Sequence, residues 1–196
     1  MIAAVVLAAG LSRRMGETDK LRLPVRGMPM YRHALTLAAA VGDACLVVTN
    51  DLAIVSEGEG MGFRAVPSPR AAEGMGYSVA AGAAALDARA AYALFLSADQ
   101  PFLQPETVQA LVHLAQESDC IVVPRVDGKP CAPCVFPRRF FGELAALTGE
   151  TGGRAVWKRH ANEVRFWDAP NKAEFADIDT PETYQRLAGL DFPSGL

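Results

Sequence analysis

The chain has 196 residues, of which 51% are hydrophobic and 21% charged, a composition typical of a globular domain with one sizeable core. A formal net charge of −3 argues against a nucleic-acid-binding protein, and no apolar run is long enough to span a membrane. The chain enters an apolar run without a basic region and a cleavage site, so we expect a cytoplasmic protein. The length and the lack of a low-complexity linker predict a single domain over residues 1–196.

Strand-like and helix-like segments alternate over the first two thirds of the chain. Short apolar runs predict buried strands, and longer segments with apolar residues at helical spacing predict helices. The predicted strands are 2–7, 45–49, 64–66, 91–97 and 121–123, and the predicted helices are 30–40, 52–57, 79–87 and 105–116. This alternation predicts an α/β fold with a mainly parallel sheet and helices on both faces.

The last third of the chain is less regular. Residues 129–137 are rich in proline and cysteine and are interpreted as a loop with an extended piece. Helices are predicted at 140–147 and 153–159. Residues 164–167 alternate in polarity, as an edge or antiparallel strand does. Thr180 and Pro181 suit the start of a final helix.

The stretch after the first strand carries the strongest chemical signal. From Leu7 to Lys20 the sequence is Leu-Ala-Ala-Gly-Leu-Ser-Arg-Arg-Met-Gly-Glu-Thr-Asp-Lys, which combines small residues with cationic side chains. Exposed backbone N–H groups beside arginine and lysine are what a polyphosphate requires. The spacing fits neither a P-loop nor the dinucleotide-binding fingerprint. We therefore interpret this stretch as a loop that binds a polyphosphate.

A second candidate lies at the end of the predicted strand 91–97, where Asp99 follows Ala98. An acidic residue at the carboxyl end of a parallel strand lies beside the ligand crevice. A carboxylate there suits Mg²⁺, which binds through one or two carboxylates and substrate phosphates. By position alone, a turn or a helix cap explains Asp99 equally well.

Both stretches resemble the MobA-like nucleotidyltransferases, whose first loop has the pattern Leu-Ala-Ala-Gly-x-Ser-x-Arg-Met-Gly-x-x-Lys. Here three residues, not two, separate Gly16 from Lys20. Ala9 and the segment Asp99-Gln100-Pro-Phe resemble the cytidylyltransferase branch more than the guanylyltransferase branch. The resemblance implies a three-layer Rossmann-like nucleotidyltransferase fold, with an antiparallel strand in a mostly parallel sheet, and Mg²⁺ as the cofactor.

The resemblance also assigns roles to individual residues. The catalytic residues would be Arg14, Lys20 and Asp99, and the metal ligands Asp99 and Asp179. The nucleotide would be bound by Leu7, Ala8, Ala9, Gly10, Ser12, Gly74 and Ser78. The acceptor would be bordered by Glu150, Gly152 and Arg154.

Simpler structural roles stay open for three of these segments. Turn chemistry explains the glycines near 74, with Ser78 as a helix cap. An inter-helix turn explains residues 148–153, which would leave Arg154 as a solvated charge. For the third segment, the simpler role is that Asp179 supports the start of the following helix and binds no metal.

The implied reaction transfers CMP from CTP to molybdopterin and releases pyrophosphate. One alternative keeps this chemistry with GTP, another NTP or another phosphate acceptor. A second is a non-catalytic carrier that hands the molybdenum cofactor to a recipient molybdoenzyme, and a third is a nucleotide-binding regulator. The acceptor identity follows from the resemblance alone.

The four cysteines predict no further chemistry strongly. Cys45 and Cys120 lie in apolar runs and are interpreted as small core residues. Cys131 and Cys134 form a lone C-x-x-C without a second pair, which gives little support for a tetrahedral metal site. The pair does not open a helix after a strand, as the thioredoxin motif does.

Overall fold

The computed structural model describes residues 1–10 and 19–188. The strands are β1 (Ile2–Leu7), β2 (Pro24–Val25), β3 (Met28–Pro29), β4 (Ala44–Val48), β5 (Arg64–Val66), β6 (Tyr92–Ser97), β7 (Ile121–Val126), β8 (Lys129–Pro130), β9 (Cys134–Pro137) and β10 (Val164–Asp168). The α-helices are α1 (Met30–Val41), α2 (Leu52–Gly60), α3 (Met75–Ala84), α4 (Pro105–Ser118), α5 (Phe141–Ala145), α6 (Arg154–Arg159) and α7 (Pro181–Leu187). None of the helices in this part of the chain is long and apolar enough to cross a membrane.

The main sheet has the order β10-β7-β9-β6-β1-β4-β5, and β8 pairs with β7. The pairs of β1 with β4 and β6, of β4 with β5, and of β7 with β10 are parallel. Only β8 and β9 run antiparallel to their neighbours among these strands. The predicted α/β fold with a mostly parallel sheet is therefore confirmed.

Two hydrophobic cores cover the two faces of the sheet. Along β1, Ala4 and Val6 belong to one core, whereas Ala3 and Val5 belong to the other. Helices α1 and α4 contribute to the first core, and α3, α5 and α6 contribute to the second. A strand that is covered on both faces needs apolar residues at consecutive positions, which is why β1 is a continuous apolar run.

The antiparallel strand lies elsewhere than the alternation of polarity indicated. Strand β10 is at the sheet edge, as predicted, but it runs parallel to β7. The antiparallel position belongs to β9, within the stretch 129–137, for which the sequence predicts a loop with an extended piece. Val135 and Phe136 are buried in β9, but Pro133 and Pro137 flank this short apolar run, and prolines argue against a strand within a sheet.

Helix α3 begins four residues before its predicted start at residue 79. Glycines inside a helix are unfavourable in solution, so the sequence between 74 and 78 looks like a loop. Packing explains both glycines of the helix. A Cβ at Gly76 would lie 2.7 Å from the carbonyl oxygen of Thr148, and a Cβ at Gly82, further along the helix, would lie 2.7 Å from Val5 Cγ1 in the sheet. The small residues of α3 thus let the helix lie close against the strands.

Candidate active site

A cavity of about 610 Å³ lies at the carboxyl ends of β1 and β6. These strands are adjacent and parallel, with Leu7 opposite Ser97. The loops that follow both strands therefore start at the same edge of the sheet. The predicted site residues that line the cavity are Leu7, Ala9, Gly10, Lys20, Gly74, Ser78, Asp99, Glu150, Gly152, Arg154 and Asp179.

Lys20 lies between two carboxylates at one end of this cavity. Its Nζ is 2.7 Å from Asp99 Oδ2 and 2.6 Å from Asp179 Oδ1. The residue is only 8% exposed. Burial lowers the pKa of Lys20, but the charges and hydrogen bonds of Asp99 and Asp179 outweigh it and raise the pKa above 10.5. The ammonium group is therefore charged at neutral pH.

Two hydrogen bonds position Asp99. Ser97 donates its hydroxyl hydrogen to Asp99 Oδ1 at 2.5 Å. The backbone N–H of Ile178 donates to the carbonyl oxygen of Asp99 at 3.1 Å. Ile178 is fully buried, and its neighbours in the extended chain point the other way, so Asp177 and Asp179 leave the core on the side of Asp99.

Asp177 brings a third carboxylate to this region. Its surface is exposed, yet the protein around it removes part of its hydration. This partial burial and the charges of Asp99 and Asp179 raise the pKa of Asp177 to about 6. Gln100, which is buried, hydrogen-bonds to Asp177. We call Lys20, Asp99, Asp177 and Asp179 the charged end of the cavity.

The donor set at the charged end fits a hard divalent cation. Carboxylate oxygens of Asp99 and Asp179 already hold one cationic group between them, the ammonium of Lys20. Mg²⁺ and Mn²⁺ prefer oxygen ligands of this kind. Over the ranges 1–10 and 19–188, no three His, Cys, Asp or Glu side chains are grouped to hold a metal ion together.

Close backbone contact builds the other end of the cavity. Gly74 has φ +140°, and a Cβ there would overlap the carbonyl oxygen of Gly149 and lie 2.7 Å from Glu150 N. Gly76 N donates to Gly149 O at 2.8 Å. The predicted nucleotide segment and the predicted acceptor loop are therefore packed backbone to backbone. We call Gly74, Gly76, Gly149 and Gly152 the glycine end.

Arg154 and Glu150 line the cavity beside the glycine end. Arg154 begins α6, and its guanidinium carbon lies 5.9 Å from the centre of the Trp157 ring. Trp157 also lines the cavity. A cation, a carboxylate and an aromatic ring thus face the space that the resemblance gave to the acceptor.

Three of the predicted site residues are not placed in the cavity wall. Ala8 lies behind it, where its N–H donates to Val48 O at 2.8 Å and its carbonyl accepts from Thr49 Oγ1 at 3.0 Å. The backbone of Ala8 is thus used to join β1 to β4. Ser12 and Arg14 lie outside the described residues.

Ser78 does not cap a helix, which was the alternative role considered for it. It lies inside α3, and its hydroxyl is 3.2 Å from the hydroxyl of Ser68. Asn50 fixes Ser68 by donating from Nδ2 to its carbonyl at 2.8 Å and accepting from its N–H at 2.9 Å. Ser78 therefore belongs to a buried hydrogen-bonded cluster at the cavity wall.

The C-x-x-C segment lines the cavity, although no sequence pattern indicates a role for it in the site. Cys131, Ala132 and Cys134 all contribute to the wall. Both cysteines are free, and burial raises the pKa of Cys131 to about 11 and that of Cys134 to about 12. They are neutral thiols at physiological pH. Their place beside β9 was hidden because β9 itself was not recognised.

The fold and the site together define a class of protein. A mostly parallel sheet with helices on both faces, and a cavity at the carboxyl ends of two adjacent parallel strands, is the arrangement of an α/β nucleotidyltransferase. Comparison with known proteins gives the family. Residues 4–164 match the MobA-like NTP transferase domain, and the chain belongs to this family.

Relatives of known name or structure are similar over almost the whole chain. The purine catabolism protein PucB of Bacillus subtilis is 33% identical and the molybdenum cofactor guanylyltransferase of Shewanella loihica is 28% identical, each alignment covering 95% of both chains. The crystal structure of Rv0371c from Mycobacterium tuberculosis H37Rv is 29% identical with a TM-score of 0.75, covering 95% of this chain and 97% of that one. The complex of that protein with manganese has a TM-score of 0.72 at 27% identity, with the same coverage.

Proposed function

We propose that this chain transfers a nucleoside monophosphate from an NTP to the terminal phosphate of a molybdopterin and releases pyrophosphate. The observation that supports this most directly is the contact of Lys20 with Asp99 and Asp179 inside a cavity lined by candidate residues for both substrates. Membership of the nucleotidyltransferase family supports the reaction class. The names of several relatives, molybdenum cofactor guanylyltransferase, support the acceptor.

GTP is the nucleotide that we propose first. The same relatives are named guanylyltransferases, and they are aligned with more than 90% of this chain. CTP is the second candidate, because Ala9 and Gln100 resemble the cytidylyltransferase branch. For recognition of the base we propose Gly74 and Ser78, which line the cavity; the Ser78 hydroxyl is hydrogen-bonded to that of Ser68.

The chemistry depends on charge neutralisation and alignment. The acceptor phosphate is ionised at neutral pH and attacks the α-phosphorus, so no protein nucleophile is needed. Lys20, together with Arg14 outside the described residues, would hold the β- and γ-phosphates and stabilise the charge of the leaving pyrophosphate. Backbone N–H groups of Ala9 and Gly10 would bind the triphosphate.

Asp99 and Asp179 would hold a divalent metal ion, Mg²⁺ or Mn²⁺. When bound, the ion would neutralise phosphate charge and help to orient the two substrates. A structural relative that was crystallised with manganese supports this choice of ion. Arg154 would pair with an anionic group of the acceptor, and Trp157 would offer an apolar ring surface beside it.

A pyrophosphate-release assay tests the proposal. The protein is incubated with Mg²⁺, molybdenum-loaded molybdopterin and one NTP at a time, and reactions without acceptor are the control. Release that requires both GTP and acceptor is the expected result. Release that requires acceptor and occurs with CTP but not with GTP would select the second candidate. Binding of the nucleotide and of molybdopterin without pyrophosphate release would overturn the proposal in favour of a cofactor carrier.

A further inference from the structure

We propose that Lys20 is the resident cation of the metal position, and that a divalent metal ion binds by displacing its ammonium group toward the rest of the cavity. This inference rests on the proposed function, since it takes the charged end to bind a metal ion and the cavity to bind a triphosphate. It assigns Lys20 a second role, as the group that a metal ion must replace.

The distances make the two cations mutually exclusive. Lys20 Nζ is 2.7 Å from Asp99 Oδ2 and 2.6 Å from Asp179 Oδ1, so one ammonium group bridges both carboxylates. A Mg²⁺ ion bound to the same two oxygens would lie about 2.0–2.1 Å from each. That position overlaps the space that Nζ fills. A metal ion that binds these same two oxygens therefore cannot enter while the ammonium remains.

The backbone of Lys20 is anchored independently of its ammonium group. Lys20 begins a 3₁₀-helix whose N-cap, Asp19, accepts a hydrogen bond from Leu21 N at 3.1 Å. The carbonyl of Lys20 accepts from Leu23 N, also at 3.1 Å. The flexible four-carbon stem can therefore turn without a change in the main chain. The side chain already lines the cavity, so a displaced ammonium group stays within it.

Charge favours this exchange when a metal ion is present. Asp99, Asp177 and Asp179 place three carboxylates around one ammonium group. A divalent ion offsets more of this negative charge than Lys20 does. The released ammonium group is then available to phosphate oxygens. Metal binding and triphosphate binding should accordingly strengthen each other, because a coupling between two ligands is reciprocal.

Titration with Mn²⁺ in the absence of nucleotide tests the exchange. The fraction of free Mn²⁺ is measured by electron paramagnetic resonance for the wild type, Lys20→Met and Arg154→Gln. Lys20→Met should bind Mn²⁺ about tenfold more tightly, within the usual range of coupling between sites. Arg154→Gln also removes a cation that lines the cavity, but leaves the ammonium group of Lys20 in place, and should change the affinity by less than about twofold.

Two results would overturn the exchange. One is an affinity of Lys20→Met equal to or below that of the wild type. The other is an equal gain in Arg154→Gln, which would show a general effect of charge. Asp99→Asn separates this question from the proposed function: it should abolish Mn²⁺ binding, and unchanged binding would remove the metal site itself from both proposals.

A measurement on the wild-type protein covers the case in which Lys20→Met does not fold. The amine of Lys20 is acylated by a water-soluble reagent with and without Mn²⁺, again without nucleotide, and its modification is followed by mass spectrometry. Displacement from the carboxylates should raise the rate severalfold, whereas Lys172, which is exposed and does not line the cavity, serves as the internal reference. An unchanged or lower rate for Lys20 would contradict the proposal.

Discussion

The two ends of the cavity are built by different physical means. At the charged end, side chains are held by ion pairs and hydrogen bonds, such as those from Lys20 to Asp99 and Asp179. At the glycine end, the backbone at Gly74 and Gly76 lies directly against residues 148–150. Side-chain bonds can be exchanged for bonds to a ligand, but a backbone contact cannot move without its segment. The charged end is thus suited to chemistry, and the glycine end to a fixed shape.

The largest effect is expected at the charged end. Asp99→Asn removes the carboxylate that lies at the end of β6 and contacts Lys20, so charge stabilisation in the transition state is lost. We expect kcat/KM for nucleotidyl transfer to fall about a thousandfold, in line with the loss of one electrostatic group in other active sites. The measurement is steady-state pyrophosphate release, combined with circular dichroism to confirm that the fold is retained.

Asp168→Asn is the matched control for Asp99→Asn. Asp168 forms an exposed ion pair with Arg125 in which the two charged atoms are 2.8 Å apart, away from the cavity. Its substitution should leave activity within about twofold of the wild type, because exposed ion pairs contribute little to stability. Full activity of Asp99→Asn would show that the charged end takes no part in the reaction.

A substitution at the glycine end should affect the stability of the protein more than its activity. Gly74→Ala places a Cβ against the backbone of Gly149 and Glu150 at a φ of +140°, which side chains rarely adopt. Strain and overlap together should lower the free energy of unfolding by about 3 kcal/mol. For a domain of this size, that corresponds to a fall in Tm of about 6–12 °C. Thermal unfolding followed by calorimetry gives the value.

Gly142→Ala should have the opposite sign. Gly142 lies within α5, and a Cβ there would meet no atom within 4 Å. Alanine favours a helix over glycine by about 0.5–1 kcal/mol, so Tm should rise slightly. Equal Tm values for the two variants would mean that the backbone contact at Gly74 does not constrain the glycine end.

The smallest effect concerns Asp177 and depends on pH. Its pKa in the folded protein is about 6, compared with 3.8 for an unperturbed aspartate, so ionisation is less favourable in the folded state. The wild type should lose stability as the pH rises from about 4 to 6 and remain at the lower level above 6. Asp177→Asn should therefore raise Tm at pH 8, in buffer without divalent ions, by about 2 °C after allowance for solvent exposure.

This gain should disappear as the pH is lowered below 4, where Asp177 is protonated in both states of the wild type. Asp127→Asn, at an exposed carboxylate 3.5 Å from Lys172, is the matched control for the loss of one aspartate charge. A lower Tm for Asp177→Asn at pH 8 would mean that the ionised carboxylate stabilises the fold, contrary to the direction of its pKa.

The parts of the fold that depend on strong local patterns could be predicted from the sequence. Strands β1 and β6 are continuous apolar runs, and parallel strands bring their carboxyl ends to one edge, so the meeting of the first loop with Asp99 could be expected. Strand β9 could not be predicted in this way, because Val135 and Phe136 pair with β6, which is distant in sequence. The start of α3 could not be predicted either, because Gly76 is required by close contact with the backbone of residues 148–149, which lie far away in the sequence.

The candidate site was predictable to a similar extent. The proximity of Lys20 to Asp179 follows from a family resemblance, because 159 residues separate them and no local pattern joins them. The C-x-x-C segment and Trp157 reach the cavity through β9 and α6, and neither has a signal that specifies this position. The roles assigned to the site residues, and the choice between GTP and CTP, stay predictions that the experiments above decide.

The position of β9 sets the order in which the sheet can be completed. β9 lies between β6 and β7, although it follows both in the chain. Until Pro137 has left the ribosome, β6 presents an edge whose N–H and C=O groups have no strand beside them, and β7 is paired only with β8, at Arg125 and Val126. The nascent protein therefore carries open strand edges until β9 is made, and this short segment then joins β6 to β7.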